Sequence, residues 1–209
     1  MKVFVTGVAG QLGHDVMNEL AGRGYEGIGS DIREVYSGLC DGTAAESMPY
    51  MQMDITDADS VGNVLRSVKP DVVIHCAAWT AVDLAEDEDK QATVHRVNAD
   101  GTRNIAEVCR ELGSRMVYLS TDYIFDGTGT EPWQPDCRNY SPLNVYGRTK
   151  LEGELAVSEF LDRYFIVRIA WVFGKSGKNF IRTMLNLGKT HDRLTVVNDQ
   201  IGTPTYTYD

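Results

Sequence analysis

A tyrosine and a lysine stand four residues apart in Tyr146-Gly147-Arg148-Thr149-Lys150, at the head of a stretch with helical patterning. On a helix that spacing puts the phenol and the ammonium on one face, side by side. A free tyrosine titrates near ~10 and is a poor acid-base group at neutral pH, whereas a neighbouring cation makes the phenol a usable proton donor. A solvated surface pair is the ordinary alternative. What separates the two readings lies near the other end of the chain.

Directly after a first predicted strand comes Gly7-Val8-Ala9-Gly10-Gln11-Leu12-Gly13, a GxxGxxG leading into a helix. Gly7 suits the tight turn, Gly10 lets the backbone approach a pyrophosphate, and Gly13 lets the helix pack closely on the strand. The helix N-terminus then points free N–H groups at the phosphates. The strand-loop-helix context favours dinucleotide binding over a merely tight turn. Asp31 follows at the end of the second predicted strand, where a carboxylate hydrogen-bonds the adenosine ribose hydroxyls and favours NAD. Arg33, two residues on, suits a 2′-phosphate, so NADH and NADPH both stand as cofactors. Asp54 and Ile55 close the third strand as a polar-apolar pair flanking the adenine, Asp54 being also a candidate helix cap. After the fourth strand, Ala77 and Ala78 are small where ribose and phosphates pass close to backbone. His75 and Cys76 read as packed core, and Trp79 as either packing or a lip of the cleft, with Thr80 beside it.

The elements that must position these residues alternate between short apolar runs and helical stretches, the pattern of a parallel sheet covered by helices. Strands are predicted at 2–6, 26–30, 50–53, 71–75, 115–120, 165–169 and 194–197, and helices at 11–23, 57–68, 91–112, 145–163 and 179–187. Most of the strands are continuous apolar runs, as strands buried on both faces should be. Tyr36 to Pro49 and Gly127 to Pro142 interrupt the rhythm as long loops, the second rich in proline and read as a substrate-facing segment.

The 209 residues suit one domain and the beginning of another, and the formal charge of −10 disfavours nucleic acid and anionic membrane surfaces as partners. Cys40, Cys76, Cys109 and Cys137 form no CxxC pair, which argues against zinc and a disulfide scaffold, and no metal is expected. The opening MKVFVTG lacks the features of a signal peptide and no run is long enough to span a bilayer, so a cytoplasmic location is expected. The ending TPTYTYD has no helix-stop or tail character and reads as a truncation. A homodimer stays open.

The glycine loop, Asp31, the Ala77-Ala78 turn, Leu119-Ser120-Thr121 at the end of the fifth strand and the Tyr146/Lys150 pair together resemble the extended short-chain dehydrogenase/reductases. Six blocks in order carry the resemblance further: CAAWTAVDLAE from Cys76, VNADGTRNIAE from Val97, STDYIFDG from Ser120, YGRTKLEGE from Tyr146, RIAWVFG from Arg168 and VVNDQIGTPTYT from Val196. They are similar to the dTDP-4-dehydrorhamnose reductase family along essentially the whole chain. The resemblance implies a Rossmann-like, doubly wound α/β fold. It further implies reduction by NADH or NADPH of the 4-keto group of dTDP-4-dehydro-L-rhamnose, a dTDP-linked 6-deoxy sugar, to give dTDP-L-rhamnose for surface polysaccharides.

By motif it carries Gly10, Gln11 and Leu12 to the phosphates, Asp31, Asp54 and Ile55 to the adenosine, and Ala78, Trp79 and Thr80 towards the nicotinamide. Thr121, Tyr146 and Lys150 match the catalytic group, Tyr146 and Lys150 being expected to bind the cofactor as well, with Lys150 holding the nicotinamide ribose, and Thr121, Asp122 and Trp171 match positions near the sugar. Asn98, Asn179 and Gln200 are further polar candidates. The 36–49 insertion is longer than the family's, and Trp79 stands where Tyr or His is commoner. Members of the family continue into a smaller, mostly helical region that completes the substrate pocket. The expected division is therefore 1–175 as the dinucleotide-binding domain and 176–209 as the start of that region, incomplete here. Two alternatives remain: a non-catalytic NADP-binding subunit resembling the regulatory subunit of methionine adenosyltransferase, and another nucleotide-sugar epimerase or dehydratase.

Overall fold

Seven parallel strands organise the chain in the computed structural model, which describes residues 1–209. In chain order they are β1 (Lys2–Thr6), β2 (Glu26–Asp31), β3 (Tyr50–Gln52), β4 (Val72–His75), β5 (Arg115–Thr121), β6 (Tyr164–Phe173) and β7 (Pro204–Tyr206). They lie side by side as β3-β2-β1-β4-β5-β6-β7. The chain moves outward from β1 to β3, then crosses back to β4 on the other side of β1. That reversal opens a crevice at the C-terminal ends of β1 and β4, where sheets of this kind take ligands. The parallel sheet expected from the alternation of elements, and the doubly wound, Rossmann-like architecture that the family resemblance implied, are what the structure has.

The helices are α1 (Gln11–Gly22), α2 (Ala44–Ser47), α3 (Ala58–Val68), α4 (Glu88–His95), α5 (Gly101–Leu112), α6 (Val145–Phe160) and α7 (Phe180–Leu187). Their ends follow local chemistry. Asp57 caps α3 by accepting from the Asp59 and Ser60 amides at 2.9 and 3.3 Å, and Gly113 ends α5 at φ +70°. Alternation along β1 sends Phe4 into a core with Leu65, Ile105, Met116 and Tyr118 under α3, α5 and α6. Val3 and Val5 face the opposite way, against Met17 and Leu20 of α1.

Three expectations are corrected. Residues 194–197 are not a strand: Val196 and Val197 are exposed, and the edge position goes to Pro204–Tyr206. An apolar run makes a strand only where it finds a ladder to join, and Pro204 is tolerated as the first residue of an edge strand because it needs no N–H partner there. The helix predicted over 91–112 is two helices joined by a π turn at Arg96–Asp100, where Thr102 Oγ1 donates to the Asn98 carbonyl at 2.7 Å. Finally, β6 is not buried on both faces. The row Val5, Ile74, Val117, Phe165 runs across four strands from full burial to a Phe165 that is 72% exposed. No residue of α7 is buried either.

The 36–49 insertion packs on the fold. Ala45 is buried with its amide donating to Asn18 Oδ1 at 2.8 Å, and the Tyr36 ring stands edge-on to Tyr50 at 6.4 Å.

Candidate active site

The glycine loop is fixed by contact with the end of β4. Gly7 has φ +70°, and a Cβ there would lie 2.6 Å from the Ala77 nitrogen, so the turn after β1 rests directly on the turn carrying Ala77 and Ala78. At Gly13 any side chain would overlap the Gly7 carbonyl, which is why α1 starts so close to β1. Gly10 is the N-cap of α1 and supplies no side-chain cap, and the first turn holds no acidic residue. Unsatisfied N–H groups thus remain at an uncapped, positively polarised helix end, with Leu12 half-buried in its first turn. This cradle fits the pyrophosphate of a dinucleotide.

Asp31 braces the cradle from β2. One carboxylate oxygen accepts from the Ala9 amide at 3.1 Å and the other from the Ile32 amide at 2.8 Å. Arg33 is exposed beside it. Asp54 Oδ1 accepts from the Thr56 amide and hydroxyl at 2.9 and 2.8 Å, leaving the capping of α3 to Asp57. Ile55, expected beside the adenine, is buried. Its side chain belongs to the main core and packs over Gly101, because the chain turns inward there to begin α3.

His75 accepts or donates to Thr6 Oγ1 at 2.7 Å and Thr102 Oγ1 at 3.2 Å. Burial and the nearby Lys150 push its pKa down to about 3. Burial likewise pushes the Cys76 thiol up to about 12. Both are therefore neutral packing groups. The Trp79 amide donates to Asn98 Oδ1 at 2.8 Å, its indole donates to the Ala81 carbonyl at 3.0 Å, and Thr80 is exposed next to it.

At the other wall, α6 is held by its first residues. Asn144 caps it by accepting from the Gly147 amide at 2.7 Å, and Glu86 accepts from the Val145 amide at 2.6 Å. Gly147 presses on the Tyr123 carbonyl, leaving no room for a side chain. This presents Tyr146 and Lys150 to the end of β5, where Thr121 Oγ1 accepts from the Tyr123 amide at 3.2 Å and donates to Asp122 at 3.1 Å. The Tyr146 ring meets Tyr123 edge-on at 5.6 Å.

The electrostatics differ from the expected pairing. Burial above all pushes the Tyr146 phenol up to about 12; the Thr121 hydroxyl pulls in the opposite direction, and Asp122 and Tyr123 add to the rise. The Lys150 ammonium donates to the Leu119 carbonyl at 2.7 Å and sits 4.1 Å from the centre of the Tyr118 ring. Burial brings it down to about 7, against the upward pull of Glu154 and Cys76. The ammonium is thus engaged by the Leu119 carbonyl and the Tyr118 ring rather than by the Tyr146 phenol.

Three candidate groups have partners distant along the chain. Asn98, in the π turn, bonds Trp79 at both amide and carbonyl and reaches Thr149 Oγ1 at 3.2 Å, tying the β4 turn to α6. The Gln11 amide donates to the Val172 carbonyl at 3.2 Å and accepts from Asn179 Nδ2 at 3.2 Å, joining the glycine loop to the end of β6. Trp171 has φ +46°, at a bulge between β6 and β7, and is 48% exposed. A bulky residue in the left-handed region is strained, and such strain gathers at functional sites. The residue types at Asn98, Gln11, Asn179 and Trp171 were visible in the sequence, whereas their partners and the Trp171 backbone were not. A separate cleft of about 500 Å³, lined in part by Lys69, Asp71, Arg115 and Arg163, lies at the N-terminal edge of the sheet and contains none of these residues.

Comparison with known proteins gives a consistent picture. The model of the family described as the RmlD substrate binding domain matches residues 1–209. The dTDP-4-dehydrorhamnose reductase of Streptomyces griseus is 40% identical over 99% of this chain and 61% of its own length. The dTDP-4-keto-6-deoxy-D-glucose reductase of Streptomyces niveus is 41% identical over 99% of this chain and 65% of its own. The crystal structure of a dTDP-4-dehydrorhamnose reductase from Clostridium acetobutylicum superposes with TM-score 0.86 at 41% identity, covering all of this chain and 66% of that one. Another from Bacillus anthracis, solved in complex with NADP, gives 0.83 at 37% identity, covering 99% and 66%. The chain spans less than two thirds of the length of these relatives.

Proposed function

Because the chain belongs to the RmlD substrate binding domain family, we propose that it serves the NADH- or NADPH-dependent reduction of the 4-keto group of dTDP-4-dehydro-L-rhamnose to dTDP-L-rhamnose. The observation that supports this most directly is the meeting of Thr121, Tyr146 and Lys150 at the end of β5, across the crevice from an uncapped glycine cradle. When bound, the reduced nicotinamide supplies a hydride to the carbonyl carbon. Tyr146, held protonated throughout the neutral range by burial, hands its proton to the carbonyl oxygen as negative charge develops there. Thr121 turns its hydroxyl from Asp122 to the same oxygen; a preorganised donor of this kind lowers the barrier by ~2–4 kcal/mol. Lys150 contributes positive charge beneath the site while its own carbonyl bond fixes where that charge lies.

On the cofactor side we assign Gly7, Gly10, Gln11, Leu12 and Gly13 to the pyrophosphate, Asp31 and Asp54 to the adenosine, and Ala77 to Thr80 to the nicotinamide half. Ile55 can contribute there through its backbone. Asp122 and Trp171 are assigned to the sugar, Trp171 because its exposed ring stands two residues beyond Ile169, the strand partner of Thr121. Residues 1–175 form the dinucleotide-binding domain in this reading and 176–209 belong to a smaller substrate-binding region. The exposed apolar side chains of α7 support that division.

The test is a protein containing this chain, mixed with NADPH and either dTDP-4-dehydro-L-rhamnose or dTDP-4-keto-6-deoxy-D-glucose. Loss of the reduced-nicotinamide absorbance with the first sugar is expected. Normal NADPH binding without turnover of either would replace the reductase reading with the non-catalytic one.

A further inference from the structure

Two side chains of β3 reach across to the turn that leaves β2, the turn assigned above to the adenosine. The Tyr50 hydroxyl donates to the Arg33 carbonyl at 2.5 Å and is 3.3 Å from the Asp31 carbonyl. Gln52 Nε2 donates to the Ile32 carbonyl between them at 3.1 Å. Three successive carbonyls are thus held by side chains of the neighbouring strand. Tyr50 is itself seated by the 36–49 insertion: the Tyr36 ring stands edge-on to it, and the Pro49 carbonyl accepts from the Gly29 amide at 2.8 Å. Residues 32–35 are exposed, so water would satisfy the carbonyls of Ile32 and Arg33 equally well. What the side chains add is a single shape for the turn.

That shape decides what the turn can read. Each oxygen of Asp31 accepts one backbone amide, from Ala9 and from Ile32. A carboxylate has about four acceptor sites, so about two are left for ribose hydroxyls. A 2′-phosphate beside Asp31 meets a like charge, and the exposed Arg33 guanidinium two residues along is the group that can offset it. An arginine on a turn of fixed shape meets the phosphate with its backbone already in place, whereas a turn free to move must be ordered at the moment of binding. A 2′-hydroxyl needs only Asp31, which is tied separately through the Ala9 amide and through its own carbonyl, an acceptor for the Met53 amide at 3.0 Å.

We propose that Tyr50 and Gln52 are positioning residues for coenzyme choice: by gripping the carbonyls of Asp31, Ile32 and Arg33 they fix Arg33 where it offsets Asp31 against a 2′-phosphate, so that one turn accepts NADPH as well as NADH. This rests on the reductase reading for the identity of the cofactor, but its content is measured without sugar and without turnover.

The experiment is calorimetric titration of NADPH and of NADH, which differ only in the 2′-phosphate, into a protein containing the whole chain. Tyr50→Phe keeps the ring beside Tyr36 and deletes the hydroxyl. It is expected to weaken NADPH about 5- to 10-fold, the measure of one net hydrogen bond, and NADH by less than about twofold. Gln52→Leu, at an exposed position, is expected to act in the same direction and carries the test if Tyr50→Phe does not fold. In an Arg33→Ala background, Tyr50→Phe should leave the ratio of the two dissociation constants unchanged, because both substitutions then remove one shared interaction. A merely structural role for β3 would weaken both coenzymes alike. Equal weakening, no weakening, or a ratio that still changes in the Arg33→Ala background overturns the proposal. Absence of binding of either coenzyme to the unaltered protein overturns it together with the cofactor half of the reductase reading. Normal binding without reduction of either sugar removes the reductase reading alone and leaves the ratio standing as the test.

Discussion

Lys150 makes stability depend on pH in a way that can be worked out from its surroundings. Its ordinary value of 10.5 applies to the unfolded chain, and burial brings it down to about 7 in the fold. Between those limits the unfolded chain binds one proton more than the folded protein, so stability rises with pH across that window and the contribution is lost again as pH falls towards 7. One proton is worth ~1.4 kcal/mol per pH unit. From pH 7 to 9 the gain is about 2–3 kcal/mol, the first part being shallower because Lys150 is half-titrated at pH 7. The thiols of Cys76 and Cys109, raised by burial from 9.0 to about 12, act in the opposite direction from about pH 8 upward and take back about 0.8 kcal/mol of that gain by pH 9. Urea unfolding at pH 7, 8 and 9 should therefore show a rising free energy in the native protein and, in Lys150→Met, one that is level to pH 8 and slightly lower at pH 9. The lost bond to the Leu119 carbonyl offsets all the points of the variant equally and leaves the slope readable. Equal slopes in the two proteins would refute the assignment of a buried, near-neutral Lys150.

Tyr146→Phe should reduce turnover by at least about 100-fold, the lower end of what general acid catalysis supplies, with NADPH affinity nearly unchanged; persistence of activity would show that the proton comes from elsewhere. Gly7→Ala meets both a left-handed backbone and the Ala77 nitrogen 2.6 Å away, so a loss of about 2 kcal/mol or more in urea unfolding is expected. A neutral result there would mean that the loop is not seated on the β4 turn. Arg33→Ala should weaken NADPH more than NADH in direct binding measurements, and equal effects would take Arg33 out of the cofactor site.

Much of this was legible in the residues because the decisive signals were local. A glycine that must take positive φ, an Asp ahead of a helix and an apolar run between loops each act over a few residues, and β1, α1 and the start of α6 follow from them. What the sequence did not disclose depends on partners distant along the chain. Residues 194–197 had the apolar composition of a strand but no ladder, while Pro204–Tyr206 had one. The Tyr146/Lys150 spacing was read correctly as one helical face, yet spacing carries no information about the Leu119 carbonyl and the Tyr118 ring that occupy the ammonium. Nor does anything local tell that Ile55 turns into the core or that Tyr50 finds the Arg33 carbonyl.

The two-ended grip of the Gln11 amide has a thermodynamic consequence. It joins the loop assigned to the cofactor phosphates to Val172, the residue after Trp171, and to Asn179 at the head of α7. On the assignments proposed above, a ligand that orders the glycine loop through this amide would also order the strand end beside Trp171, and a second ligand would then meet a partner with less freedom to lose. Binding free energies close in a cycle, and the factor by which cofactor tightens sugar must equal the factor by which sugar tightens cofactor. If the assignments proposed above hold, one glutamine side chain would couple the two halves of the crevice, and measured Kd values for cofactor with and without sugar would show it.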